Sequence, residues 1–296
     1  MIEITQRAGI RPERKDHPKG PRPSDTGVSP AKLFDDVYYV GRRGVGVFVI
    51  DTKEGLVMID SMDPCDAAEE YIIPGLKELG FDPNTLNTVL LTHGHFDHFA
   101  GAKHLQDQLG AKIALGFTDS AYMVCSEWRG RPGIEFPKID IVLQDRKALQ
   151  FGDHVFIPVL SPGHTPGGMS FIFNVHDNGE EHWVSLMSGN GLPLPVYGTD
   201  PMFCGLGFQI DLCGKYLNSI FVFEEECRRY ECDVVLGVHP GSCKLFEKLE
   251  ILKDRKQGDP NPFVIGKKGV MKFLKDHSDM AVDHMKQYMD EVFNIE

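Results

Sequence analysis

No apolar run in this 296-residue chain approaches the ~18 residues needed to span a bilayer, which argues against a transmembrane role. The first 26 residues are rich in Arg, Lys, Pro and Asp and lack the apolar stretch of a secretory signal, so the cytoplasm is the expected compartment. A basic stripe is missing too. With a formal charge of −12 and no Arg/Lys-rich helix, nucleic acid is a poor partner and a small molecule a better one. The seven cysteines, at 65, 125, 204, 213, 227, 232 and 243, are odd in number and show no Cys-x-x-Cys. In a chain long enough to bury a core without staples, free buried thiols are expected. Gly41-Arg42-Arg43-Gly44-Val45-Gly46 lacks the order of glycines that cradles a nucleotide and opens a strand rather than a helix, so it reads as a hairpin turn. Oligomeric state is not legible.

Residues 1–30 hold five prolines and many charges and read as an extended arm, leaving 31–296 as one domain. Short β-branched or aromatic runs at Val37–Val40, Val45–Ile50 and Leu56–Ile59, separated by turn signals, predict an antiparallel start. Asp66–Leu79 has apolar residues near helix spacing, with Pro74 placed to kink it and Gly80 to stop it. Thr88–Thr92 is a continuous apolar run, as in a strand buried on both faces, followed by a helix over 98–109 and a strand at Lys112–Leu115. Strands are predicted again at Val155–Leu160, Ser170–Val175, Trp183–Met187 and Asp233–Val238. Helices follow near 214–231, 243–253 and 267–292. Two halves, each of strands followed by helices, predict an α+β fold: a four-layer αββα sandwich with active residues at strand ends.

The chemistry concentrates where the Thr88–Thr92 strand ends. Thr92-His93-Gly94-His95-Phe96-Asp97-His98 places four potential ligands within six residues. Gathering imidazoles and a carboxylate costs desolvation and mutual repulsion unless a cation collects them. Alternate residues His93 and His95 can point one way, while Asp97 and His98 fall on the turn into a helix and can face a second site. Two rigid Gly/Pro loops, Ser161-Pro162-Gly163-His164-Thr165-Pro166-Gly167 and Gly237-Val238-His239-Pro240-Gly241, each add one His at a strand end. The histidines at 17, 104, 154, 176, 182, 277 and 284 stand singly in the sequence and receive no role. Pro195–Gly214, with Tyr197, Met202, Phe203, Leu206 and Phe208, could wall a pocket or pack the core, and Trp128 could flank the same mouth.

His93-x-His95-x-Asp97-His98, with His164 and His239, resembles the metallo-β-lactamase superfamily over about residues 31–292. It looks closest to the third zinc β-lactamase subclass and its non-lactamase relatives, through Leu33–Gly41, Leu91–His98, Pro162–Gly167, Cys232–Leu236 and Asn261–Val264. The resemblance implies the metallo-β-lactamase fold and two zinc ions per chain. His93, His95 and His164 would hold the first, and Asp97, His98 and His239 the second. Asp97, the only carboxylate of the cluster, would also orient the nucleophile and carry a proton to the leaving group. Two departures bear on the substrate. Asn190 stands where the superfamily often has a metal-bridging Asp, which weakens the second site, and Gly191-Leu192-Pro193 replaces the Ser-Leu-Ser of third-subclass lactamases. The implied function is a zinc-dependent hydrolase of a small-molecule acyl bond: lactone first, then other ester, lactam or thioester. The alternatives are an iron-dependent dioxygenase or other redox enzyme of the same fold, or a β-lactamase.

Overall fold

The computed structural model describes residues 26–63, 65–125, 134–189, 191–192 and 206–293. Strands β1 (Gly27–Lys32), β2 (Val37–Arg42), β3 (Phe48–Asp51), β4 (Leu56–Ile59), β5 (Leu86–Leu90), β6 (Lys112–Gly116) and β7 (Ile141–Leu143) form one sheet in sequential order. It is antiparallel from β1 to β4 and parallel from β4 to β7. The second sheet has the order β12-β11-β10-β9-β8, built from β8 (Leu149–Phe151), β9 (His154–Leu160), β10 (Met169–Asp177), β11 (Glu180–Met187) and β12 (Val234–Gly237), with only the β11–β12 pair parallel.

Alternation along the first sheet builds the layers. Phe48, Ile50, Val57, Ile59, Leu90 and Ala114 face the second sheet, where they meet Phe156, Phe171 and Phe173. Their neighbours Val49, Leu56, Met58, Val89, Ile113 and Leu115 face the opposite way. There they pack on Leu76 of α1 (Ile73–Glu78), Phe99 of α2 (Phe96–Phe99), and Ala102 and Leu105 of α3 (Ala102–Leu109). A strand buried on both faces thus reads as a continuous apolar run although each face is a period-two pattern. The outer face of the second sheet is covered by α5 (Leu206–Arg229), α6 (Leu245–Lys253) and α7 (Gly266–Phe293) through Tyr216, Ile220, Phe223, Leu245, Val270 and Leu274. The four-layer αββα sandwich is the observed architecture.

Several local expectations need correction. The arm does not extend to residue 30: β1 begins at Gly27 and pairs with β2, and its register shifts between Val28 and Ala31 around Pro30. An edge strand with a bulge tolerates a proline that a central strand would not. Residues 1–25 lie outside the described residues. The Asp66–Leu79 helix forms, but its first part, Ala68–Ile72, is a π turn that runs directly into α1, and Pro74, which has no N–H to donate, follows this irregular stretch. The 98–109 helix is two pieces, because a Cβ on Gly101 would stand 2.4 Å from the Ser61 carbonyl oxygen and the chain turns there against the end of β4. The helix expected from 214 begins at Leu206, so the second half of the Pro195–Gly214 stretch is helical. Residues 193–205, Asn190 and Trp128 lie outside the described residues. Strands β7 and β8 and helix α4 (Phe117–Cys125) were not signalled by the sequence. Of the described cysteines, 213, 227, 232 and 243 are buried, whereas Cys65 is partly exposed and Cys125 exposed. No helix among the described residues is long and apolar enough to cross a membrane.

Candidate metal centre

Three strand ends converge at one rim of the sandwich. His93, His95, Asp97 and His98 follow β5, His164 follows β9, and His239 follows β12. Two triads result, His93/His95/His164 and Asp97/His98/His239, and within each the donor atoms lie within 4.8 Å of one another. In the first, His95 Nδ1 stands 3.1 Å from His93 Nε2 and 3.1 Å from His164 Nε2. In the second, Asp97 Oδ2 is 3.5 Å from His98 Nε2 and 3.9 Å from His239 Nε2. The two triads abut, with the His93 and His98 rings 4.1 Å apart between centroids.

Four of the five rings turn Nε2 inward and tie Nδ1 to an oxygen outside the cluster. His98 Nδ1 meets Asp60 Oδ2 at 2.8 Å and His93 Nδ1 meets Thr92 Oγ1 at 2.9 Å. The carbonyl oxygens of Gly191 and Gly44 stand 2.8 and 2.9 Å from Nδ1 of His164 and His239. Such acceptors hold the outer N–H, so the inner nitrogen is the one left to ligate. His98 Nε2 is buried and has no hydrogen-bond partner. A buried orphan of this kind facing a carboxylate, in a set of imidazoles and one Asp, suits a borderline divalent ion such as zinc.

Electrostatics agree. Burial, reinforced by the neighbouring rings, holds His93 and His95 well below the ordinary histidine range. Burial also lowers His164 to about 4 and depresses His239. Burial alone would raise Asp97, but the charge of His98, its hydrogen bond and the other rings leave it far below the carboxylate range. Against its own burial, His98 is raised to about 10, chiefly by the charges of Asp97 and Asp60. Four neutral rings around one held proton are what a metal ion displaces, because ligands bind only when deprotonated.

The positioning residues escaped sequence reading. Asp60, at the end of β4 with φ +63°, is fully buried and accepts hydrogen bonds from Thr92 N at 2.8 Å and Thr92 Oγ1 at 2.9 Å as well as facing His98. Ser61 N also donates to His98 O, pinning the start of α2. Asp119, buried in α4, accepts from Gly94 N at 2.8 Å, Thr165 Oγ1 at 2.7 Å and Gly167 N at 2.6 Å, fastening the His93–His95 segment to the His164 loop. The Tyr216 hydroxyl donates to Gly189 O and accepts from Gly191 N, setting the carbonyl that orients His164. A polar residue closing an apolar strand was the only available signal for Asp60; Asp119 and Tyr216 had none, since each acts across 25 or more residues.

Other histidines are not single. His154 is buried and His176 partly exposed, and both meet Asp36. His182 faces Asp233 at 2.7 Å and His104 faces Glu69 at 3.5 Å. His17 lies outside the described residues, as does Asn190, so a bridging position between the triads is not described.

Known proteins resemble the chain in sequence and in fold. The family model for the metallo-beta-lactamase superfamily matches residues 40–177. The chain is 32% identical over 112 residues to a hydroxyacylglutathione hydrolase of Acidiphilium cryptum, covering 38% of this chain and 39% of that one. It is 27% identical over 125 residues to the N-acyl homoserine lactonase AttM of Azorhizobium caulinodans, covering 39% and 46%. It therefore spans less than half the length of these two curated relatives. BJP-1, a subclass B3 metallo-beta-lactamase of Bradyrhizobium japonicum, superposes with a TM-score of 0.72 at 24% identity, over 93% of this chain and 99% of that one. Residues 40–177 thus match the metallo-beta-lactamase superfamily model, on a chain whose described residues have the metallo-β-lactamase fold.

Proposed function

We propose that the chain is a zinc-dependent hydrolase that cleaves a small-molecule acyl bond, with His93, His95 and His164 holding one ion and Asp97, His98 and His239 a second. The observation that carries this reading is the pair of abutting triads, with the buried His98 Nε2 facing Asp97 and left without a hydrogen-bond partner. Zinc, when bound, brings water to a pKa of about 7 and polarises an acyl oxygen as a Lewis acid.

The chain's own residues supply the rest. Thr92, Asp60, Gly191 and Gly44 hold four imidazoles in the tautomer that offers Nε2. The Asp97 carboxylate, ionised at neutral pH and partly exposed, faces His98 and His239 of its own triad, so it can orient a water and pass its proton to the leaving group. Cyclic esters rank first among the substrates, then other esters, thioesters and lactams. The lactonase and hydroxyacylglutathione hydrolase named among the relatives support an acyl bond of this class. Zinc analysis alongside a panel of chromogenic lactone, ester, thioester and lactam substrates tests the reading. About two zinc ions per chain and turnover abolished by a chelator are expected; iron with oxygen consumption would overturn it.

A further inference from the structure

A second cluster lies at the other end of the sandwich. Asp36, in the turn before β2, meets His154, the first residue of β9, and His176, near the end of β10. His154 and the His164 loop flank β9 at opposite ends, so ~20 Å of strand separates this cluster from the His93 centre, at about 3.3 Å per residue. Asp36 Oδ2 stands 3.0 Å from His154 Nε2 and 2.5 Å from His176 Nδ1, and the His176 backbone N–H points at both Asp36 oxygens from 3.1 Å. Behind His154, Asp153 Oδ1 lies 2.9 Å from Nδ1, and Asp153 is itself paired with Lys53 at 2.6 Å.

This arrangement over-supplies acceptors. Both nitrogens of the buried His154 ring face carboxylate oxygens at about hydrogen-bond distance, and a neutral imidazole has one N–H, so the two carboxylates are satisfied either by an N–H at each nitrogen or by a cation at Nε2. The donor atoms of Asp36, His154 and His176 lie within 4.8 Å of one another, and with a cation among Nε2, Oδ2 and His176 Nδ1 the Nε2 lone pair goes to the ion and the Nδ1–H to Asp153. The pattern repeats the His93 centre, inner nitrogen to the ion and outer N–H to a fixed oxygen.

We propose that Asp36, His154 and His176 form a separate structural site for a divalent ion of the zinc type, clamping the β1–β2 turn of one sheet to β9 and β10 of the other. Two imidazoles and a carboxylate are zinc donors, and the partly exposed His176 leaves an access route and room for a water as fourth ligand. Admitting the ion takes an outward shift of roughly a few tenths of an ångström, since zinc sits about 2.0–2.2 Å from each donor. The site is independent of the chemistry assigned to the His93 centre.

The test is zinc content after equilibration with micromolar free zinc, in the full chain and in His176→Gln and Asp36→Asn, with folding followed by circular dichroism. Each variant should carry one zinc equivalent fewer than the parent and show a smaller rise in melting temperature on adding zinc, keeping only the part due to the His93 centre. On the unmutated chain, long-range proton–nitrogen spectra should show His154 Nε2 and His176 Nδ1 moving to metal-bound positions as zinc is added, a readout that stands even where a variant fails to fold. Equal zinc content in parent and folded variants, or His154 and His176 rings that stay unmoved or still titrate with pH at saturating zinc, would overturn the proposal.

Discussion

Asp60→Asn separates the two triads. In the native chain one carboxylate orients both: His93 Nδ1–H points to Thr92 Oγ1, whose hydroxyl donates to Asp60, and His98 Nδ1–H points to Asp60 Oδ2 directly. The amide keeps the volume at this fully buried position and keeps one oxygen for Thr92 N and Oγ1. It puts an NH₂ where Oδ2 was, against His98 Nδ1. His98 must then accept at Nδ1 and carry its proton on Nε2, the atom that should ligate. Loss of such an orienting partner costs about 10–100-fold in metal affinity, or ~1.4–2.7 kcal/mol. Chelator-competition titration should therefore find one zinc equivalent weakened by that factor and the other, on His93/His95/His164, within about twofold of native. Should both equivalents bind with native affinity, the tautomer argument is wrong. Should both weaken equally, Asp60 is merely structural. Asp60→Ala, which also strands Thr92, should weaken both.

Three further outcomes follow from the geometry. Asp119→Asn keeps only one acceptor oxygen for three donors, so the His93–His95 segment and the His164 loop should uncouple, with ~10-fold or greater loss of zinc affinity in the same titration. Gly163→Ala puts a Cβ 2.5 Å from Tyr216 Cα at φ +133°, so thermal melts should show a loss of ~2–4 kcal/mol together with weakened zinc at His164. Arg255→Met removes the bidentate partner of Asp177, whose oxygens lie 2.7 and 2.6 Å away, at a cost of ~1–2 kcal/mol after allowance for its position near the surface. Burial would raise Asp177, but the Arg255 and Asn261 hydrogen bonds hold it below its ordinary 3.8. That contribution is therefore fully present above pH ~4 and lost as pH falls through the lower native value. Urea melts of parent and variant should differ by a constant amount from pH 7 to about 5 and converge below about 4; a gap that persists at pH 2 would contradict it.

Local sequence determined the candidate metal donors and the type of most elements. The apolar run ending at Thr92 reads as a strand, and imidazoles at 93, 95 and 98 beside Asp97 read as a candidate cation site, because both inferences rest on neighbours a few residues apart. What tertiary structure alone decided lies at long range. Only the fold brings Asp60 under His98 across 38 positions, sets Asp119 between two loops, and turns the carbonyls of Gly191 and Gly44 toward their histidines. Periodicity is blind to such partners, since a carboxylate that closes a strand and one that orients a ligand look alike in sequence. The same blindness left His154 and His176 as isolated residues. They meet through Asp36, which is 118 residues from one and 140 from the other, only because a turn of the first sheet packs against the far end of the second.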